Sequence, residues 1–162
     1  MADSENTPIA SGGTIVRDAR PDEAARVAEI IRAAFENQCR LYDDWTLPPM
    51  RESAESVLEA MRSGVVLVAE ESGRLVGTVR GRETDGVVEI GRLAVEPDRH
   101  GAGIGRLLTE ELETRFPDAR AFSLFTGHKS SRALSLYESL GYVRTSETPV
   151  HSNLTLVYLA KQ

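Results

Sequence analysis

A chain of 162 residues fits one domain, since single cores usually grow to about 100–200 residues before a chain divides. With 41% hydrophobic residues, that length supports a packed core without a metal or disulfide staple, and one cysteine, Cys39, excludes an internal disulfide framework. A formal net charge of -6, with 27% charged residues, argues against general affinity for nucleic acid or anionic lipid and leaves room only for a local basic site.

Residues 1–12, MADSENTPIASG, lack the basic start and apolar stretch of a signal peptide and read as a loose polar tail before a single domain over 13–162. The longest apolar runs, Val65 to Ala69 and Leu156 to Ala160, fall far short of the roughly 20 residues that span a bilayer, so a cytoplasmic location is expected, without membrane or nucleic-acid partners. Thr14 to Arg17 reads as a strand, and Pro21, Asp22 and Glu23 open a helix with the stripe Val27, Ile30, Ile31, Ala34 and Phe35. From Glu36 to Met50 no period holds, and the segment is expected to be a surface loop carrying Tyr42, Asp43, Asp44 and Trp45.

Ala54, Val57, Leu58 and Met61 mark a second helix, stopped at Gly64. Val65 to Ala69, Leu75 to Arg80 and Val87 to Val95, joined by turns at Glu71–Arg74 and Thr84–Gly86, predict an antiparallel meander. Ile104, Leu107, Leu108, Leu112 and Phe116 form a third helical stripe, closed by Pro117. A strand at Ala121 to Phe125, a fourth helix with Ala133, Leu136, Tyr137 and Leu140 capped by Gly141, and strands near Tyr142 to Thr145 and Leu154 to Ala160 complete the domain. This order predicts an α/β (α+β) fold, a mixed, mostly antiparallel sheet of about seven strands flanked by four helices.

The segment Val87 to Leu108, VVEIGRLAVEPDRHGAGIGRLL, carries the chemistry. Gly101, Gly103 and Gly105 expose backbone where a helix begins, and the unpaired first amides with the positive end of the helix dipole favour phosphate. Arg99, His100 and Arg106 add local positive charge. A dinucleotide fingerprint requires glycine where Arg106 stands, and the parallel βαβ context is also missing; the nucleoside-triphosphate loop lacks its Gly-Lys-Ser/Thr ending. The remaining design is the pyrophosphate loop of an acyl-coenzyme A enzyme.

His100-Gly101-Ala102-Gly103-Ile104-Gly105 resembles the signature of the GNAT superfamily of N-acetyltransferases, with His100 in place of its first Gln or Arg. The downstream helix Ser131 to Tyr142, ending Tyr-Glu-x-x-Gly-aromatic, strengthens the resemblance, which covers about Thr14 to Lys161. It implies acetyl-coenzyme A as acyl donor: Leu93, Ala94 and Val95 pair with the pantetheine arm, residues 100 to 106 cradle the pyrophosphate with Arg99 adjacent, and Ser130 stands at a cofactor-contacting position. Lys129 and Arg132 are candidates for the 3'-phosphate.

Transfer to an amine needs a base, because alkylamines titrate near 10.4. Glu89 is the candidate, placed relative to the glycine loop like the glutamate of the histone-acetylating branch, with Glu83 the second choice. Tyr137 occupies the family position that assists thiolate departure, and it also lies on an apolar stripe. A backbone amide at Val95 or Leu93 is expected to hold the oxyanion. The reaction is direct attack by a primary amine in a ternary complex. Tyr42, Asp43, Asp44 and Trp45, on the acceptor side by resemblance, point to a small cationic amine. A protein N-terminus or lysine as acceptor, and an acyl-coenzyme A sensor without turnover, are the alternatives. His100, His128 and His151 have no metal-ligand spacing, so no metal is expected. The resemblance permits a homodimer without requiring one.

Overall fold

The computed structural model describes residues 9–11 and 13–162. The expected loose tail over 1–12 otherwise lies outside the described residues, and its Ile9–Ser11 is a short strand, β1, antiparallel to β2 (Thr14–Asp18). There follow α1 (Ala24–Tyr42), α2 (Ala54–Ser63), β3 (Val65–Glu71), β4 (Arg74–Thr84), β5 (Val87–Val95), α3 (Ile104–Thr114), β6 (Ala121–Gly127), α4 (Ser131–Ser139), β7 (Val143–His151) and β8 (Leu154–Lys161). One sheet of eight strands runs β1-β2-β3-β4-β5-β6-β8-β7, and β1 is the addition to the seven expected. Among the described residues no helix is long and apolar enough to cross a membrane.

Alternation along the strands builds two cores. Leu67, Val76, Val88 and Ile90 face α3 and α4, where they meet Ile104, Leu108, Leu112 and Leu134. Val66, Val68, Leu75 and Ala94 face the other way and meet Val27, Ile30, Ile31 and Val57 of α1 and α2. Packing on both faces fixes strand register, because a one-residue slip would exchange the two sets.

Two expectations need correction. The segment from Glu36 is not a loop at its start: α1 continues to Tyr42, with Cys39 and Tyr42 buried on the extension of its apolar stripe. Asp43, in the left-handed region at φ 52°, ends it. A parallel βαβ context is also present, since β5, α3 and β6 return the chain parallel to β5. That pairing is brief. Only Val87, Val88 and Glu89 pair with Ala121, Phe122 and Ser123, after which the two strands separate.

Candidate active site

The separation of β5 from β6 opens a cleft of about 1400 Å³, large enough for two substrates by the usual scale of roughly 300–1,000 Å³ for one ligand pocket. Glu89 stands on the last paired rung, opposite Ser123 across the parallel step and Arg82 across the antiparallel one. It is exposed and lines the cleft. Glu83, the second candidate, sits one rung nearer the β4–β5 turn, and does not line the cleft. Beyond Glu89, Ala94 and Val95 pair with β4 on one side, and the stretch Leu93 to Val95 has no strand paired on the other, the arrangement that accepts an extended ligand as an added strand.

The glycine loop closes one end of the cleft. Gly101 and Gly103 adopt φ +82° and +80°, and a Cβ at either would meet nothing within 4 Å, so the backbone faces open space. Gly103 caps α3 without a side-chain hydrogen bond, leaving the first amides of that helix for a ligand. Ala102 is exposed at the tip, Ile104 is 2% exposed and anchors the helix, and a Cβ at Gly105 would come within 3.3 Å of Leu136. These features fit a pyrophosphate. His100 Nε2 lies 3.1 Å from the Val95 carbonyl and ties the loop to the end of β5. Arg106, Lys129 and Arg132 are exposed cations along the same end, with Arg106 Nη2 donating to Ser139 Oγ at 2.6 Å. Arg99, expected to add charge here, is instead bound through two nitrogens to Glu71 at 2.7 and 2.9 Å, so its charge is locally compensated.

Ser130 does not present a free hydroxyl. The Lys129 amide donates to Tyr42 Oη at 2.9 Å, Tyr42 Oη and Ser130 Oγ are 2.7 Å apart, and Ser130 Oγ donates to Gln38 Oε1 at 2.8 Å. This chain joins α1 to α4 and leaves the Gln38 amide in the cleft. Tyr42 occupies the space that a side chain at Gly127 would need, its hydroxyl only 2.1 Å from an ideal Cβ there.

The aromatic–carboxylate group expected from Tyr42, Asp43, Asp44 and Trp45 does not assemble. Tyr42 is buried as an anchor, Asp43 caps α1 in solvent, and Trp45 lies outside the cleft with the Arg40 guanidinium 5.6 Å from its ring centre. Of Asp43, Asp44 and Trp45, only the half-buried Asp44 lines the cleft. Hydrogen bonds from Thr46 and then His151 already hold its carboxyl below the usual range, which leaves it occupied.

Tyr137 is buried in the core, 5.8 Å from the Tyr142 ring, and is not among the cleft-lining side chains, although Ala133 and Leu136 of the same helix are. Burial pushes its phenol above the ordinary range, and among the described residues its hydroxyl makes no hydrogen bond. Among the described residues no group of three or more His, Cys, Asp or Glu is placed to hold a metal ion.

Sequence reasoning missed Glu52, Arg80 and Arg92. Glu52 precedes α2, is 5% exposed and binds both arginines. A signal was present: Val88 and Ile90 alternate in phase, then Leu93 and Val95 resume one residue out of phase, with Arg92 at the break.

Residues 24–142 match the family model described as "Acetyltransferase (GNAT) family". The chain is 30% identical over 142 residues to the L-amino acid N-acyltransferase MnaT of Escherichia coli, covering 83% of this chain and 82% of that protein. It is 34% identical over 117 residues to the S-(2-succino)cysteine N-acetyltransferase of Bacillus subtilis, covering 65% and 71%. Its fold superposes on yncA, a putative acetyltransferase from Salmonella typhimurium solved with acetyl-CoA, at TM-score 0.74 and 24% identity over 93% of this chain and 94% of that one. The open β5 edge, the glycine-led helix and these matches agree, and the chain belongs to the acetyltransferase (GNAT) family.

Proposed function

We propose that the protein transfers an acetyl or short acyl group from acetyl-coenzyme A to the primary amine of a small molecule, by direct attack within a ternary complex. The observation that carries the reading is the juxtaposition of the free β5 edge with the uncapped start of α3 in one cleft, since a pantetheine arm and a pyrophosphate need both together. Leu93 to Val95 would pair with the arm, and the amides from Gly101 to Arg106 would hold the pyrophosphate. The two curated relatives are named for small amino compounds, which favours a small acceptor over a protein terminus.

In this reading Glu89, acting through water, takes the proton from the ammonium. The neutral nitrogen then forms a C–N bond to the thioester carbonyl, a backbone amide at Leu93 or Val95 stabilises the oxyanion, and the C–S bond breaks. The thiolate receives a proton from Tyr137, whose phenol is kept protonated by burial, and the second proton, shed by the nitrogen as the tetrahedral intermediate collapses to the amide, returns that phenol to its neutral form through water. Packing of Tyr137 against Tyr142 is the competing role for that residue. The test is release of free thiol from acetyl-coenzyme A with a panel of amines and peptides. Turnover with small amines supports the reading; binding of acetyl-coenzyme A with no acceptor-dependent release would make the protein a sensor.

A further inference from the structure

The cleft face that carries Glu89 also carries a preorganised pair of cations. Arg80 of β4 donates to the Glu52 carboxylate from Nη2 at 2.8 Å and Nη1 at 3.2 Å, Arg92 of β5 donates from Nε at 2.9 Å, and the Ser56 hydroxyl donates at 2.6 Å. Burial opposes the charge on Glu52, but the bonds from Ser56, Arg80 and Arg92 outweigh it and hold the carboxyl below its usual range. One carboxylate therefore faces two permanent cations, and one positive charge is left over.

That charge points into the cleft. Both arginine side chains are 24% exposed and line it, whereas the Glu52 side chain beneath them is 3% exposed. Among the described residues Arg92 commits only its Nε–H, so the donors on both terminal nitrogens remain unpaired. Its backbone is held at φ 52°, a conformation L residues rarely adopt outside functional or turn positions, within a bulge where Thr78 pairs with Ala94 but Arg80 already pairs with Gly91. Without the bulge, alternation would send residue 92 to the α3 face with Val88 and Ile90; with it, the side chain reaches Glu52 on the face of Glu89. From Glu89 to Gly91, the neighbour of Arg80, is about 7 Å of strand.

We propose that Arg80 and Arg92, oriented by Glu52, form a carboxylate-binding subsite, so that the acceptor is an α-amino acid or a closely related amino carboxylate. This rests on the acyltransferase reading and deepens it. A planar guanidinium fork with free donors matches a carboxylate through two parallel bonds, and a small cationic amine would instead be repelled. The donor's phosphates have their own cations, Arg106, Lys129 and Arg132, at the glycine-loop end.

The experiment measures thiol release from acetyl-coenzyme A with L-amino acids, each paired with its own carboxamide. The parent protein is expected to favour the acid over the amide in kcat/KM by about 10- to 150-fold, the scale of charge-assisted hydrogen bonds. Arg92→Gln and Arg92→Gly should bring that ratio near one with the KM for acetyl-coenzyme A unchanged; the glycine variant tolerates the left-handed backbone and guards against a folding defect. Equal use of acid and amide by the parent, or a preference that survives in both variants, overturns the subsite while the acyltransferase reading stands. No thiol release with any acceptor overturns that reading and the subsite with it.

Discussion

Gly103→Ala separates the cost of backbone geometry from the cost of blocking a ligand. In the free protein an added Cβ at Gly103 meets nothing within 4 Å, so no steric clash is expected, and the whole stability penalty comes from the φ of +80°. Placing an L residue there costs about 1–2 kcal/mol, which for a domain of this size lowers Tm by about 2–8 °C. Gly73 supplies the internal control, with φ +79° and equally open space, in the β3–β4 turn outside the cleft. Gly73→Ala and Gly103→Ala should therefore lose similar stability. Only Gly103→Ala should lose coenzyme A affinity, by about 10- to 150-fold if one or two amide contacts to the pyrophosphate are displaced, at about 1.5–3 kcal/mol. Thermal unfolding and calorimetric titration with coenzyme A read the two quantities separately. Equal affinity in both variants would refute the placement of the pyrophosphate at this loop.

Glu89→Gln should lower kcat by about 100- to 10,000-fold, the range for a positioned base, with little change in coenzyme A affinity by calorimetry. Tyr137→Phe should lower kcat by a comparable factor while Tm and the KM for acetyl-coenzyme A hold, because its hydroxyl has no hydrogen bond among the described residues to lose; full turnover would assign Tyr137 to packing alone. The depressed carboxyl of Glu52 contributes stability that is present above its usual value of 4.5 and is lost as pH falls through the lower folded value, so thermal melts of the parent should fall more steeply below about pH 4.5 than those of Glu52→Gln.

The strand limits of β5, Val87 to Val95, and the start of α3 at Ile104 were legible because each rests on local periodicity and glycine chemistry. The end of α1 was not. From Glu36 to Tyr42 the helix carries Asn37, Gln38 and Leu41 along the cleft and Arg40 in solvent, so only Cys39 and Tyr42 continue the buried stripe. A helix wet on its functional side loses the amphipathic signal by which helices are recognised. The same cause hid the true role of Tyr42, whose hydroxyl is satisfied by Lys129 and Ser130, residues far along the chain that only the tertiary fold brings near. The brief parallel step between β5 and β6 was likewise invisible, because three rungs of pairing leave no mark on either strand's pattern. Arg92 is the instructive miss: Val87 to Val95 was recognised as one strand of a meander, but the phase change within it that re-aims one side chain was not read.

The proposed Arg80–Arg92 subsite also bears on the proton that Glu89 removes in the proposed reaction. A carboxylate acceptor arrives with an ammonium beside its anionic end, and docking that anion brings the ammonium toward two guanidinium groups held by one carboxylate. Like charges destabilise the protonated amine, so the subsite that binds the acceptor also favours its neutral, nucleophilic form. Arg82, the cross-strand partner of Glu89, lines the same cleft and adds to this effect. A protein of net charge -6 thus places three arginines, Arg80, Arg82 and Arg92, along the cleft where the proposed reaction would use their charge in both steps. Removing one of those cations has a predictable sign: in Arg92→Gln the bound amine keeps its proton to higher pH, so the alkaline rise of kcat, measured at saturating acceptor, should move to higher pH than in the parent. A rise that stays in place, or moves to lower pH, would confine Arg92 to binding and leave deprotonation to Glu89 alone.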